Sequence, residues 1–322
     1  MRTTAHRLLK NLPLLTLVSF FVMSRPAFPW GCDGHRVVAL VALEQLNPHA
    51  RMEATQLLDG PIYDSSLRRY CPPSTLPPFA DLASWADDIR NQRKETAGWH
   101  FIDIPLNARK RSVTETCPAA GCVTSAIRHQ SDVLRSASAG KHEKTEALLF
   151  VIHFVGDLHQ PLHAADNDDR GGNCVAVAFF DHKPETSGTG QNYRPNLHGV
   201  WDTDLLDLIS NGQDPSAFAA ALRTQFAKDM KRWIRQPVDV DAWAWESHQA
   251  AVKTVYGKLP AKIPIEPPRE VQSCADHDMG KRMYDLHEQI GQRYLSAASP
   301  VIRRQLAHAG TRLATLLNQT WP

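Results

Sequence analysis

One stretch near the middle of the chain, residues 148–163, reads LLFVIHFVGDLHQPLH. Its five opening apolar residues predict a buried helix, on which His153 and Asp157, four residues apart, share one face. Pro161 should end that helix and let His163 turn back toward the same face. A buried, unpaired carboxylate is costly, and a metal ion bound by these side chains would remove that cost. From this stretch alone, a metal site and a His–Asp hydrogen bond in the core are equally open.

Helical periodicity continues on both sides of this stretch and predicts an all-α (mainly α) fold, with one compact multi-helix domain. Helices are expected at 35–46, 80–93, 123–138, 144–159, 201–210, 215–235, 241–257, 278–296 and 299–318. Stretches rich in Pro or Cys predict loops at 71–78, 117–122 and 259–268. Val175–Phe180 is the one predicted strand, and the polar, Gly-rich stretch that follows it to Asn196 predicts a small β-hairpin with a long loop.

Composition places the chain among globular proteins. It has 322 residues, 43% hydrophobic and 22% charged, which excludes disorder, collagen and coiled coil as the main class. The net charge of +2 becomes −2 when the four basic residues of the first 29 are set aside, because 32 basic residues then face 34 acidic ones. A protein that gripped nucleic acid mainly through a basic surface would be strongly positive. If this chain acts on phosphates, something other than Lys and Arg must supply the positive charge.

The N-terminus predicts a secretory signal over residues 1–29. Three basic residues precede an apolar run from Leu12 to Met23, which is too short to span a bilayer. The rest of the chain, 30–322, is expected to form one domain, to be secreted or periplasmic, and to be a monomer with no membrane contact. The cleavage site itself is a poor one, since Ala27-Phe28-Pro29 ends in bulky residues.

All six cysteines follow the predicted signal, and an even number in an exported chain indicates disulfides. Cys117 and Cys122 bracket four residues and are expected to pair locally. The remaining four allow three pairings, among which the sequence does not choose; they are Cys32, Cys71, Cys174 and Cys274.

Three further segments carry His or Asp side chains in a setting that suits a metal site. They are ASWADDIR at 83–90, WHFID at 99–103 and NLHGVWD at 196–202, the last with a second His-to-Asp spacing of four. Each is weak alone, and either Asp87 or Asp88 could face inward. The chain lacks a Gly-x-Ser-x-Gly elbow, a phosphate-cradling Gly-rich loop and a dinucleotide fingerprint. A set rich in His and Asp, without spare thiolates, favours zinc, with manganese or iron as alternatives.

Residues 30–35, WGCDGH, complete a recognisable pattern. A W-G-x-x-G-H start before an apolar helix resembles the zinc-dependent single-strand nucleases and 3′-nucleotidases, a family of secreted fungal, plant and bacterial enzymes. The segments at 83–87, 99–103, 153–163 and 196–202 follow in that family's order, and GTRLA at 310–314 is similar to its C-terminal helix. The resemblance covers nearly all of 30–322 and implies the all-α fold shared by phospholipase C and the single-strand nucleases.

The resemblance implies three zinc ions per chain, two of which share a ligand. The implied ligands are Asp87, His100, His153 and Asp157 for the first ion; Trp30, through its free amino group and carbonyl, with His35 and Asp157 for the second; and His163, His198 and Asp202 for the third. Asp157 would bridge the first two ions, and Asp87 rather than Asp88 would be the ligand. Three Zn²⁺ ions outweigh three ligand carboxylates, so the site would be cationic although the protein is not.

The resemblance also implies the substrate and the reaction. Phe101 would stack on a nucleobase, Asp103 would hydrogen-bond to it, and Arg90 would stabilise charge on the scissile phosphate. Asp157 and Arg90 would be the catalytic residues. A hydroxide bridging two zinc ions would cleave P–O3′ bonds of single-stranded RNA and DNA to 5′-phosphorylated nucleotides, with 3′-nucleotides as further substrates. A paired base reaches Phe101 only at a cost, which predicts a preference for single strands.

Two alternatives stay open, and one departure bears on substrate preference. A zinc phospholipase C has a related fold, but it is expected to have a longer gap after its N-terminal Trp and a Glu in place of Asp202. A non-catalytic zinc-binding protein would usually complete its metal shell with Cys. The segment between Asn173 and Asn196 has 22 residues, more than the fungal members lead us to expect, and leaves the preference among RNA, DNA and 3′-mononucleotides undecided.

Overall fold

The computed structural model describes residues 30–62, 67, 69–186, 193–265, 274 and 288–322. The predicted mainly α class is confirmed. The α-helices are α1 Gly31–Leu43, α2 Pro48–Leu57, α3 Pro78–Asp81, α4 Trp85–Ile89, α5 Ser112–Thr116, α6 Val123–Arg135, α7 Lys141–Leu158, α8 Leu197–Gly199, α9 Leu205–Ser210, α10 Pro215–Gln225, α11 Ala227–Trp233, α12 Val240–Ala250 and α13 Gln292–Thr320. Lys94–His100 and Pro161–Ala164 are 3₁₀-helical, whereas Val200–Asp204 and Ala251–Tyr256 have the wider π-helical turn.

Helix α7 lies at the centre of the core. From Ala147 to Leu158 every residue of this helix is buried, which agrees with the apolar run in the sequence. Helices α6, α13, α2 and α4 pack around it, and α1 crosses close to it. Gly156 allows this close approach, since a Cβ atom at that position would lie 2.8 Å from Nδ1 of His35 on α1. The two helices therefore place His35 and the His153–Asp157 face side by side.

The predicted helix at 80–93 is wrong as a continuous element. The chain there forms α3, a turn, α4 and then the 3₁₀ segment Lys94–His100. The turn frees the carbonyl group of Ala83, which accepts a hydrogen bond from Nδ1 of His153 at 2.9 Å. The break in the helix thus leaves a carbonyl group free to orient His153. A further helix, α2, was not predicted. Helix α1 ends at Leu43, and the side chain of Asn47 accepts from the backbone N–H of Ala50 at 2.7 Å and caps α2.

The β-structure differs from the predicted hairpin at Val175–Phe180. Strand β1, Val177–Phe179, pairs in parallel with β4, Glu288–Ile290. A separate antiparallel pair joins β2, Glu185–Thr186, to β3, Tyr193–Arg194. Parallel pairing between strands more than a hundred residues apart cannot be recognised from local alternation.

The helix predicted at 278–296 is wrong at 288–290, which form β4, and its residues 278–287 lie outside the described residues. The predicted helix at 299–318 is instead part of α13, which begins at Gln292 and passes through Pro300. The helix predicted at 215–235 is divided into α10 and α11 at Phe226. Across the described part of the chain, every helix is too short or too polar to cross a membrane.

Three disulfides join the six cysteines. Cys117–Cys122 is present as a local bridge, and the other two pairs are Cys32–Cys71 and Cys174–Cys274. The last two link segments that are 39 and 100 residues apart in sequence. Bridges of this kind are typical of proteins in an oxidising compartment.

Candidate metal centre

Two groups of buried His and Asp side chains lie at the end of α7. The first group takes His35 from α1, Asp87 from α4, His100 from the end of the 3₁₀ segment Lys94–His100, and His153 and Asp157 from α7. The second group takes His163 from Pro161–Ala164, His198 from α8 and Asp202 from the π-helical turn. Within these groups three sets of ligand atoms are close enough to hold a metal ion: His35, His153 and Asp157; Asp87, His100 and His153; and His163, His198 and Asp202.

Asp157 occupies the middle of the first group. Its Oδ2 lies 3.0 Å from Nδ1 of His100 and 3.2 Å from Nε2 of His153. Its Oδ1 faces the other way and lies 3.3 Å from Nε2 of His35. One carboxylate therefore faces two separate sets of histidines, as a bridging ligand would.

Asp87 completes the side of this group opposite His35. Its two oxygens lie 3.6 Å from Nδ1 of His100 and 3.7 Å from Nε2 of His153. The neighbouring Asp88 instead accepts a hydrogen bond from the backbone N–H of Tyr70. The structure thus directs Asp87 toward the histidines and Asp88 toward Tyr70, a choice that the sequence alone left open.

Backbone carbonyl groups fix the orientation of three of the histidines. Nδ1 of His153 hydrogen-bonds to Ala83, and Nδ1 of His163 hydrogen-bonds to the carbonyl of His100 at 2.7 Å. Nδ1 of His198 hydrogen-bonds to the carbonyl of Gly171 at 2.6 Å. A carbonyl only accepts, so each Nδ1 carries a proton and each Nε2 points inward. In His163 and His198, whose pKa values are lowered by burial, that Nε2 presents a lone pair.

In the second group this orientation brings two lone pairs face to face. Nε2 of His163 and Nε2 of His198 are 3.2 Å apart, and neither has a proton to share. The same Nε2 of His198 lies 3.2 Å from Oδ2 of Asp202. With Zn–N bonds of about 2.0–2.1 Å, two nitrogens of a tetrahedral zinc site are about 3.3 Å apart. The spacing therefore fits a metal ion bound by all three side chains.

Unpaired polar atoms lead to the same conclusion. Buried ligand atoms without a hydrogen-bond partner among the described residues are Nδ1 and Nε2 of His35, Oδ1 of Asp87, Nε2 of His100, Oδ1 of Asp157 and Oδ2 of Asp202. Such atoms are rare in folded proteins unless a water or an ion satisfies them. Imidazole and carboxylate donors, with every cysteine in a disulfide, suit zinc and related divalent metals. The residues present fit the metal ions that the motifs imply.

The electrostatics keep the second group's histidines neutral and the central carboxylate ionised. Burial lowers the pKa of His163 to about 3. Burial and the nearby Arg90 lower the pKa of His198 to about 4 against the opposing hydrogen bond to Gly171. Burial acts to raise the pKa of Asp157, but His153 and the hydrogen bonds from His100 and His153 hold it well below its usual range. These states suit metal binding, whereas two other ligands would have to release a proton to bind a metal. The carboxylates of Asp157 and Asp87 raise the pKa of His153 to about 9 against its burial, and burial raises the pKa of Asp202 well above its usual range.

Two contacts around Asp202 were not anticipated from the residues. Nε2 of Gln160 donates to Oδ1 of Asp202 at 2.6 Å, and the fully buried Gln160 also accepts from the backbone N–H of Leu162. The backbone N–H of Trp30 also hydrogen-bonds to Asp202. Gln160 stands between His153 and His163 in the motif, which was a signal of proximity to the site. Trp30 is fully buried, and this contact brings its backbone nitrogen next to Asp202; its role as a ligand stays a prediction.

The predicted substrate-binding residues are all at least partly exposed. Phe101 directly follows His100 and is half-buried. The carboxyl group of Asp103 is exposed on one side, but the protein around it and the neighbouring Asp166 raise its pKa to about 7. Arg90 ends α4 and is half-buried, with its charge close enough to act on His198. The position of these three residues relative to a bound nucleotide stays a prediction.

These features define a class: a helical protein in which buried His and Asp side chains can hold several metal ions next to a partly exposed aromatic residue. Residues 30–322 match the family described as S1/P1 Nuclease. The chain belongs to the S1/P1 nuclease family and is a hydrolytic endonuclease, as the motifs predicted.

Its relatives include plant and fungal enzymes. Endonuclease 2 of Arabidopsis thaliana is 26% identical over 90% of each chain. Nuclease S1 of Aspergillus oryzae is 26% identical over 92% of this chain and 93% of its own. Nuclease P1 of Penicillium citrinum is 34% identical over 57% of this chain and 60% of its own.

Proposed function

We propose that the chain is an exported, zinc-dependent enzyme that cleaves P–O3′ bonds of single-stranded RNA and DNA. Its products are 5′-phosphorylated nucleotides, and 3′-nucleotides are further substrates. The observation that best supports this proposal is the pair of imidazole lone pairs of His163 and His198, which face each other at 3.2 Å beside Asp202. Such an arrangement is repulsive without a cation, and a divalent metal turns it into three bonds.

The nine ligands implied by the motifs are the residues that would hold three zinc ions. When bound, the ions supply positive charge at the scissile phosphate and a nucleophile at neutral pH. Asp157 would hold two ions at a fixed separation, because its two oxygens face different histidines. The carbonyl groups of Ala83, His100 and Gly171 would keep three imidazoles oriented during turnover.

Arg90 is the protein's own cation at the scissile phosphate in this proposal. Its charge contributes to the lowered pKa of His198, which supports a position near the ligands of the third ion. A guanidinium group donates two parallel hydrogen bonds to phosphate oxygens and stays charged at any working pH. It would stabilise the negative charge that develops on phosphorus.

Phe101 and Asp103 would bind one nucleobase. Stacking on Phe101 tolerates any base, since every base has a π-face. The carboxyl group of Asp103 accepts a hydrogen bond from a base amino group most strongly when it is ionised, which occurs above its raised pKa of about 7. Below that pH its O–H can also donate to a base. A base in a duplex must leave its stack to reach this ring, so the site favours single strands.

Export is supported by the three disulfides and by the sequence of residues 1–29. The S1/P1 match begins at Trp30. The amino group of Trp30 can bind a metal only if cleavage frees it and it loses its proton, and α-amino groups titrate near pH 8. Removal of residues 1–29 would therefore complete the metal centre.

The experiment uses protein expressed with its own N-terminus and collected after export. A single-stranded oligonucleotide and a 3′-mononucleotide are incubated with it, with and without a chelator, and the product ends are identified. Chelator-sensitive release of 5′-phosphorylated nucleotides is the expected result. Products with 3′-phosphates, or hydrolysis that a chelator leaves unchanged, would overturn the proposal. Hydrolysis of phosphatidylcholine in place of nucleic acid would favour the phospholipase alternative.

A further inference from the structure

A short basic run lies on the segment that leaves Phe101 and Asp103. Arg109, Lys110 and Arg111 form the one place in the chain where three basic residues follow one another. All three side chains are exposed. Within the described residues, no acidic side chain forms an ion pair with them. The run therefore presents three positive charges to solvent and has no part in the chemistry described above.

The backbone holds this run in an ordered turn. The N–H of Ala108 donates to Pro105, that of Ser112 to Arg109 and that of Val113 to Lys110, at 2.8, 2.8 and 3.3 Å. The side chain of Val113 is only 2% exposed and anchors α5, which packs against α12. The three cations are thus displayed from a fixed position.

The same segment is tied to the metal centre at its other end. The N–H of Ile102 donates to the carbonyl of His163 at 2.8 Å, and the carbonyl of Ile104 accepts from Asp166 at 3.0 Å. Arg109 follows Asp103 by six residues, so the two are at most about 20 Å apart. A stacked strand rises about 3.4 Å per nucleotide, and that distance corresponds to about six nucleotides.

We propose that Arg109, Lys110 and Arg111 bind the phosphate backbone of a single-stranded nucleic acid whose reacting nucleotide occupies Phe101. Residues 30–322 carry a net charge of −2. The basic run is therefore a local positive site, on an otherwise slightly acidic protein, that can attract a polyanion. Phosphate contacts carry no sequence information, in keeping with the tolerant base platform. The run makes the enzyme prefer polymers over 3′-mononucleotides. This inference rests on the proposed nuclease function.

The test is a triple variant, Arg109→Ala/Lys110→Ala/Arg111→Ala. The KM values for a single-stranded DNA of roughly 20 nucleotides and for 3′-AMP are measured over a series of NaCl concentrations. Each phosphate contact on a single strand contributes about 0.7 to the slope of log KM against log salt. The variant is expected to show a slope shallower by about 2 for the DNA and an unchanged KM for 3′-AMP.

A matched control, Lys228→Ala/Lys231→Ala/Arg235→Ala, removes three exposed charges from α11 and the residues after it. It should keep the wild-type slope. A second variant with Gln at 109, 110 and 111 preserves side-chain length and should behave like the alanine variant. The inference is overturned if the 109–111 variants match the control. Failure of the wild-type protein to hydrolyse either substrate would instead contradict the proposed function, and the inference with it.

Discussion

At the scale of one residue, Asp157 shows why the buried His and Asp side chains suit a metal ion. It is fully buried and is surrounded by His35, His100 and His153 within 3.3 Å. Burial alone would raise the pKa of its carboxyl group, but the neighbouring histidines hold that pKa well below its usual range. A carboxylate in this position is unfavourable without positive charge, because buried charges need partners. The fold therefore maintains a charged ligand where metal ions are expected.

The adjacent pair Asp87 and Asp88 offers a matched test of the ligand set. Asp87→Asn should remove a zinc ligand and lower kcat/KM at least about 100-fold, more than the loss of a residue that only supports a ligand. Asp88→Asn should keep its zinc content, because Asp88 accepts from the backbone of Tyr70 instead. Elemental analysis and kinetics on both variants measure this. Equal zinc loss from both would contradict the assignment.

Gln160 is expected to position Asp202 through its 2.6 Å hydrogen bond. Gln160→Leu leaves Oδ1 of Asp202 without this donor, so the affinity for one of the metal ions should fall about 10–100-fold. Competition with a chelator measures the change, and Gln160→Glu serves as a comparison of similar shape that cannot donate when ionised. Unchanged metal affinity in Gln160→Leu would show that the hydrogen bond does not position the ligand.

At the scale of elements, local patterns predicted α6 and α7 closely, because α6 carries a clear apolar periodicity and α7 a continuous apolar run. They failed where distant parts of the chain decide the structure. Strand β1 finds its partner at 288–290, and the helix expected at 80–93 breaks at Ala83, whose carbonyl orients His153. The motifs predicted the His and Asp side chains that cluster in the structure, but not Gln160 or the carbonyl of Gly171, since a supporting residue carries no signature of its own. Tertiary contacts bring these supporting groups to the site, and local sequence patterns do not encode such contacts.

The crossing of α1 and α13 provides a test at this scale. A Cβ atom at Gly310, within α13, would lie 2.5 Å from Cγ1 of Val41 and 2.7 Å from the carbonyl of Val38. Gly→Ala in a helix usually stabilises by about 1 kcal/mol. We expect Gly310→Ala to destabilise by about 1–3 kcal/mol instead, because overpacking outweighs the gain in propensity. Chemical denaturation measures the change.

Gly291→Ala is the control, since a Cβ atom there would meet nothing within 4 Å. Because Gly291 is the N-cap of α13, where Ala is less favourable than Gly, the control should lower the free energy of unfolding by at most about 1 kcal/mol. Stabilisation by Gly310→Ala would mean that α1 and α13 are not in tight contact at this point.

At the scale of the whole molecule, buried neutral histidines link folding to pH. His308 packs on Trp233 with ring centroids 4.2 Å apart, near Arg312, His159, Arg304, Arg232 and Glu246. Burial, then Arg312 and His159, lower its pKa. The unfolded chain therefore binds a proton below about pH 6.5 that the folded chain does not bind, so stability falls as the pH decreases from there.

The contribution of His308 to this acid sensitivity can be isolated. His308→Gln should reduce the slope of unfolding free energy against pH by up to about 1.4 kcal/mol per pH unit below pH 6.5. His129→Gln, at an exposed position, should leave the slope unchanged. Urea denaturation at several pH values provides the measurement, and equal slopes in all three proteins would contradict a neutral, buried His308.

Native mass spectrometry of the exported protein tests the central claim most directly. The account predicts a chain that begins at Trp30 and carries three zinc ions, and fewer ions in Asp157→Asn because that residue faces two ligand sets. A folded chain beginning at Trp30 with no zinc, or an Asp157→Asn variant that keeps all three ions, would contradict it.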